Sequence, residues 1–173
     1  MGKGKISYVG FIISSVIFAS LFLPWWSIRA SGIGIDVYSY GVNAWNVPAY
    51  DADWVIFRLL SLDGILLIVS LLVVVSGILA LVGSLKPSFL LLAPVILNVS
   101  ATLIFYSLMR SAIGKLAHGS FSGTNLIPVP GEPWGFVWGI GLCVIAGFAS
   151  PMPLILSYWK KRRPSLRIDT KKN

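Results

Sequence analysis

Few residues in this chain could do chemistry, and the most informative is Asp63. It falls about seven residues into a long apolar run, roughly 10 Å along a helix at 1.5 Å per residue. A carboxylate at that depth in a bilayer is costly and turns inward, towards a partner or water. Asn98, Thr102 and Tyr106 repeat every four residues in the next apolar run and share one helix face, at the depth expected for Asp63. Together they would line a protonatable site in an outward-opening cavity. The same residues also suit a hydrogen-bonded lock between two helices, or Asp63 could pair with Arg58 or Arg110. Polar side chains between membrane helices commonly serve as packing contacts, which favours the lock.

Other chemistries have little to work with. Cys143 is the one cysteine and His118 the one histidine, so neither a disulfide nor a cysteine or histidine metal cluster is expected. His118 sits next to Gly119 in a loop, where it reads as solvated. No HExxH, P-loop or GxSxG pattern occurs, and no nucleophile is paired with a base. No catalytic residue, cofactor or metal is expected.

The elements that must position Asp63 follow from composition. Of 173 residues, 56% are hydrophobic and 12% charged, against about 45–50% and about 25% in soluble domains. A helix needs about 20 apolar residues to cross a bilayer. Four runs meet that length, at about 8–25, 56–84, 88–109 and 134–159. With no water in lipid to satisfy backbone amides, such runs must be helical. The expected fold is an antiparallel four-helix membrane domain occupying the whole chain, with outer loops at about 26–55 and 110–133 and a basic tail at 160–173.

Charge orients the chain. Lys3, Lys5, Lys86, and Lys160, Lys161, Arg162, Arg163, Arg167, Lys171 and Lys172 would share one face with Asp169, a net +9. The other face carries Arg29, Arg58, Arg110 and Lys115 against Asp36, Asp51, Asp53, Asp63 and Glu132, a net −1. The positive-inside rule then places both termini in the cytoplasm of a multi-pass cell-membrane protein. Tryptophans favour the headgroup level. Trp25, Trp26, Trp54, Trp134 and Trp138 fall near outer span ends and Trp159 near an inner one, so all six are expected to be interface anchors. The Lys160–Arg163 run reads as a headgroup anchor, at about 1 kcal/mol per basic residue on anionic lipid, and not as a nucleic-acid site. The first run exceeds the 7–15 residues of a signal-peptide core and ends in Pro24-Trp25-Trp26, which favours a retained span. Gly2 lacks the Ser or Thr required at position six for myristoylation, where Ile6 stands. The sequon Asn98-Val99-Ser100 lies inside a span.

Loops and small residues predict the packing. Leu85-Lys86-Pro87 is short enough to force spans two and three into a helical hairpin. The first outer loop is β-rich around Ser31-Gly32 and predicts a small hairpin or ribbon on the helix ends. The prolines of IPVPGEP favour an extended entry into span four. Gly135, Gly139, Cys143 and Gly147 recur every four residues, continued by Pro151, as a helix-packing seam; Ser76, Ala80 and Ser84 form a shorter one. Such seams serve packing within the chain, or dimerisation and docking. Pro151 and Pro153 should kink or loosen the inner end of span four.

This arrangement resembles the claudin-like tetraspans, which include the peripheral myelin proteins. The likeness lies in four spans, inside termini, a longer first outer loop with β character, and Pro24-Trp25-Trp26-Ser27 after span one. The W-GLW-C-C signature of claudins is absent and the loop has no cysteine, so the likeness implies topology and no paracellular role. The expected function is a non-catalytic scaffold or accessory subunit that assembles laterally with itself or with other membrane subunits. The alternative is a small transporter or channel subunit using the polar site around Asp63.

Overall fold

The computed structural model describes residues 8–30, 33–45, 61–85, 88–113 and 134–162. The chain is mostly helical. In order, it comprises α1 (Tyr8–Leu21), strands β1 (Trp26–Ala30), β2 (Ile33–Tyr38) and β3 (Gly41–Trp45), then α2 (Asp63–Leu85). A 3-10 turn (Phe89–Leu92), α3 (Ala93–Ile113), β4 (Trp134–Phe136), α4 (Trp138–Ala149) and α5 (Met152–Arg162) follow. Among the described residues, three helical segments are long and apolar enough to cross a membrane: Asp63–Leu85, Phe89–Ala112 and Trp138–Trp159. The fourth apolar helix, α1, has 14 residues, about 21 Å against a hydrocarbon core of about 30 Å.

Helix α2 packs between α1 and α3, and α4 packs against both α1 and α3. Small and hydroxylated residues let these helices approach closely. Ser14 Oγ donates to the Gly77 carbonyl at 2.8 Å, tying α1 to α2, and Gly10 lies directly against Ser84. Ser76 Oγ reaches the Pro94 carbonyl at 3.5 Å, tying α2 to α3. The row Ser76, Ala80 and Ser84 is thus buried between α2 and its neighbours within the chain. Pro94 is tolerated because it stands in the first turn of α3, where an amide has no helical partner. At the far end Ser150 Oγ donates to the Leu91 carbonyl at 2.8 Å, bracing the break between α4 and α5. That break falls at Pro151, as its missing N–H requires; the helix restarts with the Ile155 amide bonded to the Pro151 carbonyl at 3.1 Å.

The outward faces carry large apolar side chains, among them Phe11, Leu67, Leu71, Leu103, Ile145 and Phe148. Interior positions hold alanine, serine, glycine and the side chains of Ile17, Leu66, Val69, Val73 and Phe105. An apolar exterior over a tightly packed interior is compatible with a multi-pass membrane protein.

The sheet has the order β3-β2-β1-β4, all pairs antiparallel. Ala30 stands opposite Ile33, so β1 and β2 pair as a hairpin; Ser31 and Gly32, where a two-residue turn is expected, lie outside the described residues. A second turn at Ser39 and Tyr40 leads to β3, where Tyr38 pairs with Gly41. The hairpin expected from the first loop is therefore a three-strand meander, extended by β4 from the other end of the sequence.

Several boundaries differ from the sequence expectation. The first helix stops at Leu21 rather than near residue 25, because Pro24 interrupts it and the Trp25 amide donates to the Val37 carbonyl of β2 at 2.8 Å. The last apolar segment begins at Trp138, not Trp134: residues 134–136 pair with β1 instead, Trp26 opposite Phe136 and Ser27 opposite Gly135. Gly135 consequently leaves the helical seam for a strand. Trp25 and Trp26 also depart from expectation. They are 0% and 1% exposed, packed into the core at the junction of helices and sheet, and are not headgroup anchors. Trp138 and Trp159 are 60% and 66% exposed. Trp54 and the Trp134 side chain lie outside the described residues, as do Arg58 and His118.

Candidate functional site

The junction between α1 and α4 is built from main chain as much as from side chains. The first amides of a helix have no internal partner. In α4 the Gly139 amide finds one in the Pro24 carbonyl at 3.0 Å, and just before it the Val137 amide donates to the Trp25 carbonyl at 3.1 Å. Gly139 is required by this approach. A Cβ there would sit 2.5 Å from the Trp25 ring and 2.6 and 2.7 Å from the carbonyl oxygens of Pro24 and Leu23. Trp25 itself donates from Nε1 to the Ser20 carbonyl at 2.9 Å and meets Phe105 edge-on at 5.1 Å between centroids.

One and two turns further along α4, the seam is filled in the same way. Cys143 is buried beside Ser20. Asn98, fully buried, donates from Nδ2 to the Cys143 carbonyl at 3.0 Å, and its side chain fills the space over Gly147, where a Cβ would come within 2.9 Å of it. Gly139, Cys143 and Gly147 thus receive Trp25 and Asn98 from the same chain. Asn98 Oδ1 and Thr102 Oγ1 are buried without a hydrogen-bond partner among the described residues.

Asp63 lies elsewhere. It is the first residue of α2 rather than seven residues into a span, with Ser61 and Leu62 in a turn before it and the Ile65 and Leu66 amides bonded to the Leu62 carbonyl at 2.9 Å. An acid in the first turn complements the positive end of the helix dipole. The Ser76–Pro94 contact sets the register of the α2–α3 hairpin. Thirteen residues upstream of Ser76, Asp63 then levels with about Ser107, beside Tyr106 but roughly 7 Å above Thr102 and 13 Å above Asn98 at 1.5 Å per residue. Of the four residues expected to line one cavity, Asn98 turns to α4 while Asp63 faces the sheet.

There Asp63 borders a cleft of ≈ 460 Å³ formed with Phe22 at the end of α1, Tyr38, and residues 40–43 of the second hairpin. Its Oδ1 is buried and has no hydrogen-bond partner among the described residues. Gly41 is closest across the strand, where a Cβ would stand 3.8 Å from that oxygen. Tyr38 and Tyr40 stack with centroids 5.4 Å apart and planes 21° from parallel. Phe22 is 74% exposed, so the cleft opens beside the apolar outer surface of the helices. Sequence reasoning singled out the acid and missed its aromatic wall. The signal was Tyr38-Ser39-Tyr40-Gly41, two aromatics at the mouth of a tight turn, where their rings stack. No group of three or more His, Cys, Asp or Glu that could hold a metal occurs among the described residues.

No protein-family model matches the chain, no curated protein matches its sequence, and no solved structure matches it.

Proposed function

We propose that this chain is a non-catalytic multi-pass protein of the cell membrane, a four-helix bundle with both termini cytoplasmic, serving as a scaffold or accessory subunit. The observation that carries this reading is the outer sheet. Strands from two distant parts of the chain are stitched onto the ends of α1 and α4, giving a braced platform whose β3 edge pairs with one neighbour only among the described residues. An unpaired edge is a template for another chain, and Asn43 and Ala44 on it are exposed. The apolar helix exteriors offer the lateral surface, while the small-residue seams are spent within the chain. The claudin-like topology accords with this architecture: an outer platform over a bundle.

Purification in mild detergent followed by intact-mass measurement tests the reading. An assembly larger than the monomer, lost when prolines replace Asn43 and Ala44 on β3, is the expected result. Recovery only as a monomer without partners would sink it. Accessibility of single cysteines placed in the two termini, against the buried Cys143, tests the orientation.

A transporter or channel subunit is the second reading. Asn98 Oδ1 and Thr102 Oγ1, with no hydrogen-bond partner among the described residues, favour it, because most buried polar atoms are bonded and an exception is commonly met by water or a ligand. Solute flux into liposomes that stops in Asp63→Asn and Asn98→Ala would establish it over the scaffold.

A further inference from the structure

We infer that the cleft between α1, the second hairpin and Asp63 binds an alkylammonium group, from a phospholipid headgroup or a free amine. Three features converge on a cation. The buried Oδ1 of Asp63 has no hydrogen-bond partner among the described residues, leaving its lone pairs for a ligand. Tyr38 and Tyr40 present a stacked aromatic wall in the same cleft, and the faces of such rings attract cations. The volume of ≈ 460 Å³ suits a small organic group.

A metal ion is the wrong occupant. Calcium takes six to eight oxygen ligands and magnesium six in a near-ideal octahedron, whereas one carboxylate and an aromatic wall provide charge and a soft surface. A quaternary or primary ammonium needs just that pairing. A quaternary ammonium carries its charge on methyl groups that pack against Tyr40, Val42 and Phe22, a primary one donates its N–H groups to the carboxylate, and in either case Asp63 neutralises the charge. Asn43 at the rim supplies an amide for a hydroxyl or phosphate attached to the ammonium. The exposed ring of Phe22, continuous with the apolar helix surface, brings the cleft to the level where a bilayer presents its headgroups.

The experiment uses the full chain in detergent, with choline as the soluble probe and its uncharged isostere 3,3-dimethylbutanol as the control, followed by equilibrium dialysis. Choline should bind saturably and the isostere at least about tenfold more weakly, since charge is what separates them. Asp63→Asn should weaken choline about tenfold or more, and Tyr40→Leu several-fold. Gly41→Ala places a methyl at ordinary contact distance from Asp63 Oδ1 and should narrow the site with little effect on folding. If Asp63→Asn fails to fold, Tyr40→Leu and Gly41→Ala carry the test, because both residues belong to the hairpin rim. A second arm reconstitutes the chain in nanodiscs of mixed phosphatidylcholine and phosphatidylglycerol and measures co-purifying lipid. Selective retention of phosphatidylcholine, lost in Tyr40→Leu, identifies a headgroup; choline binding without retention identifies a free amine. Equal binding of choline and isostere, or binding unchanged in all three variants, overturns the proposal. The headgroup source rests on the membrane placement proposed above, but choline binding in detergent does not, so the two can fail separately.

Discussion

The packing of α4 against α1 and α3 and the cleft beside α2 treat the space at a glycine in opposite ways. Against α4 the space over two glycines is filled by the chain itself: Trp25 covers Gly139, Asn98 covers Gly147 with its Nδ2 bonded although its Oδ1 has no hydrogen-bond partner among the described residues, and backbone carbonyls of residues 23–25 receive or crowd the start of α4. On the α2 side Asp63 opens into a cleft of ≈ 460 Å³ with an oxygen that has no hydrogen-bond partner among the described residues. Glycine explains the difference. At Gly139 and Gly147 the missing side chain admits a neighbour to contact distance, so a polar group there is pinned. At Gly41 the nearest atom is Asp63 Oδ1 at 3.8 Å, and the space stays open. A polar residue in an apolar fold can thus be a fastener or a receptor, according to what its neighbours leave unfilled.

The contrast makes graded predictions. Trp25→Ala removes a fully buried indole, its bond to Ser20 and its contact with Phe105. It should cost about 3–5 kcal/mol, read as loss of the thermal transition in detergent or of a monodisperse elution peak. Gly139→Ala forces the Pro24 and Leu23 carbonyls apart and should cost about 1–3 kcal/mol, measured as a lowered Tm with intact helix content by circular dichroism. Asn98→Ala loses the bond to the Cys143 carbonyl and should cost about 0.6–1.7 kcal/mol, visible in the same melt. Asp63→Asn should cost only about 0.3–1 kcal/mol, its interaction with the helix dipole, because its Oδ1 has no hydrogen-bond partner to lose among the described residues. If Asp63→Asn proves as destabilising as Asn98→Ala, Asp63 is a fastener too and the contrast collapses.

Much of the architecture was legible in the residues. The apolar runs announce helices because lipid leaves the backbone no other way to satisfy its hydrogen bonds. The β1–β2 hairpin and the helix interruption at Pro151 follow from local backbone chemistry and stand where expected. Asp63 was legible as a residue of interest but not in its depth. The apolar run begins at about residue 56 with Arg58 inside it, and a helix counted along that run starts there rather than at Asp63. Trp25 and Trp26 misled for a related reason. A tryptophan at a span end looks the same in sequence whether it meets headgroups or a sheet folded over the bundle. Membership of β4 in the sheet was out of reach, since its partner β1 lies more than a hundred residues earlier.

By itself, the sequence determined the helical class, the hairpin of α2 and α3, the meander's first hairpin and a strongly basic bias in the parts flanking the apolar runs. Those properties depend on solvent, backbone chemistry and near neighbours in the chain, all of which a sequence states directly. Only the tertiary structure decided that Asn98 closes on α4, that Trp25 and Trp26 are core, and that Asp63 meets Tyr38 and Tyr40 across a cleft. Each of these depends on which distant segments come within contact distance, a matter settled by how the whole chain packs.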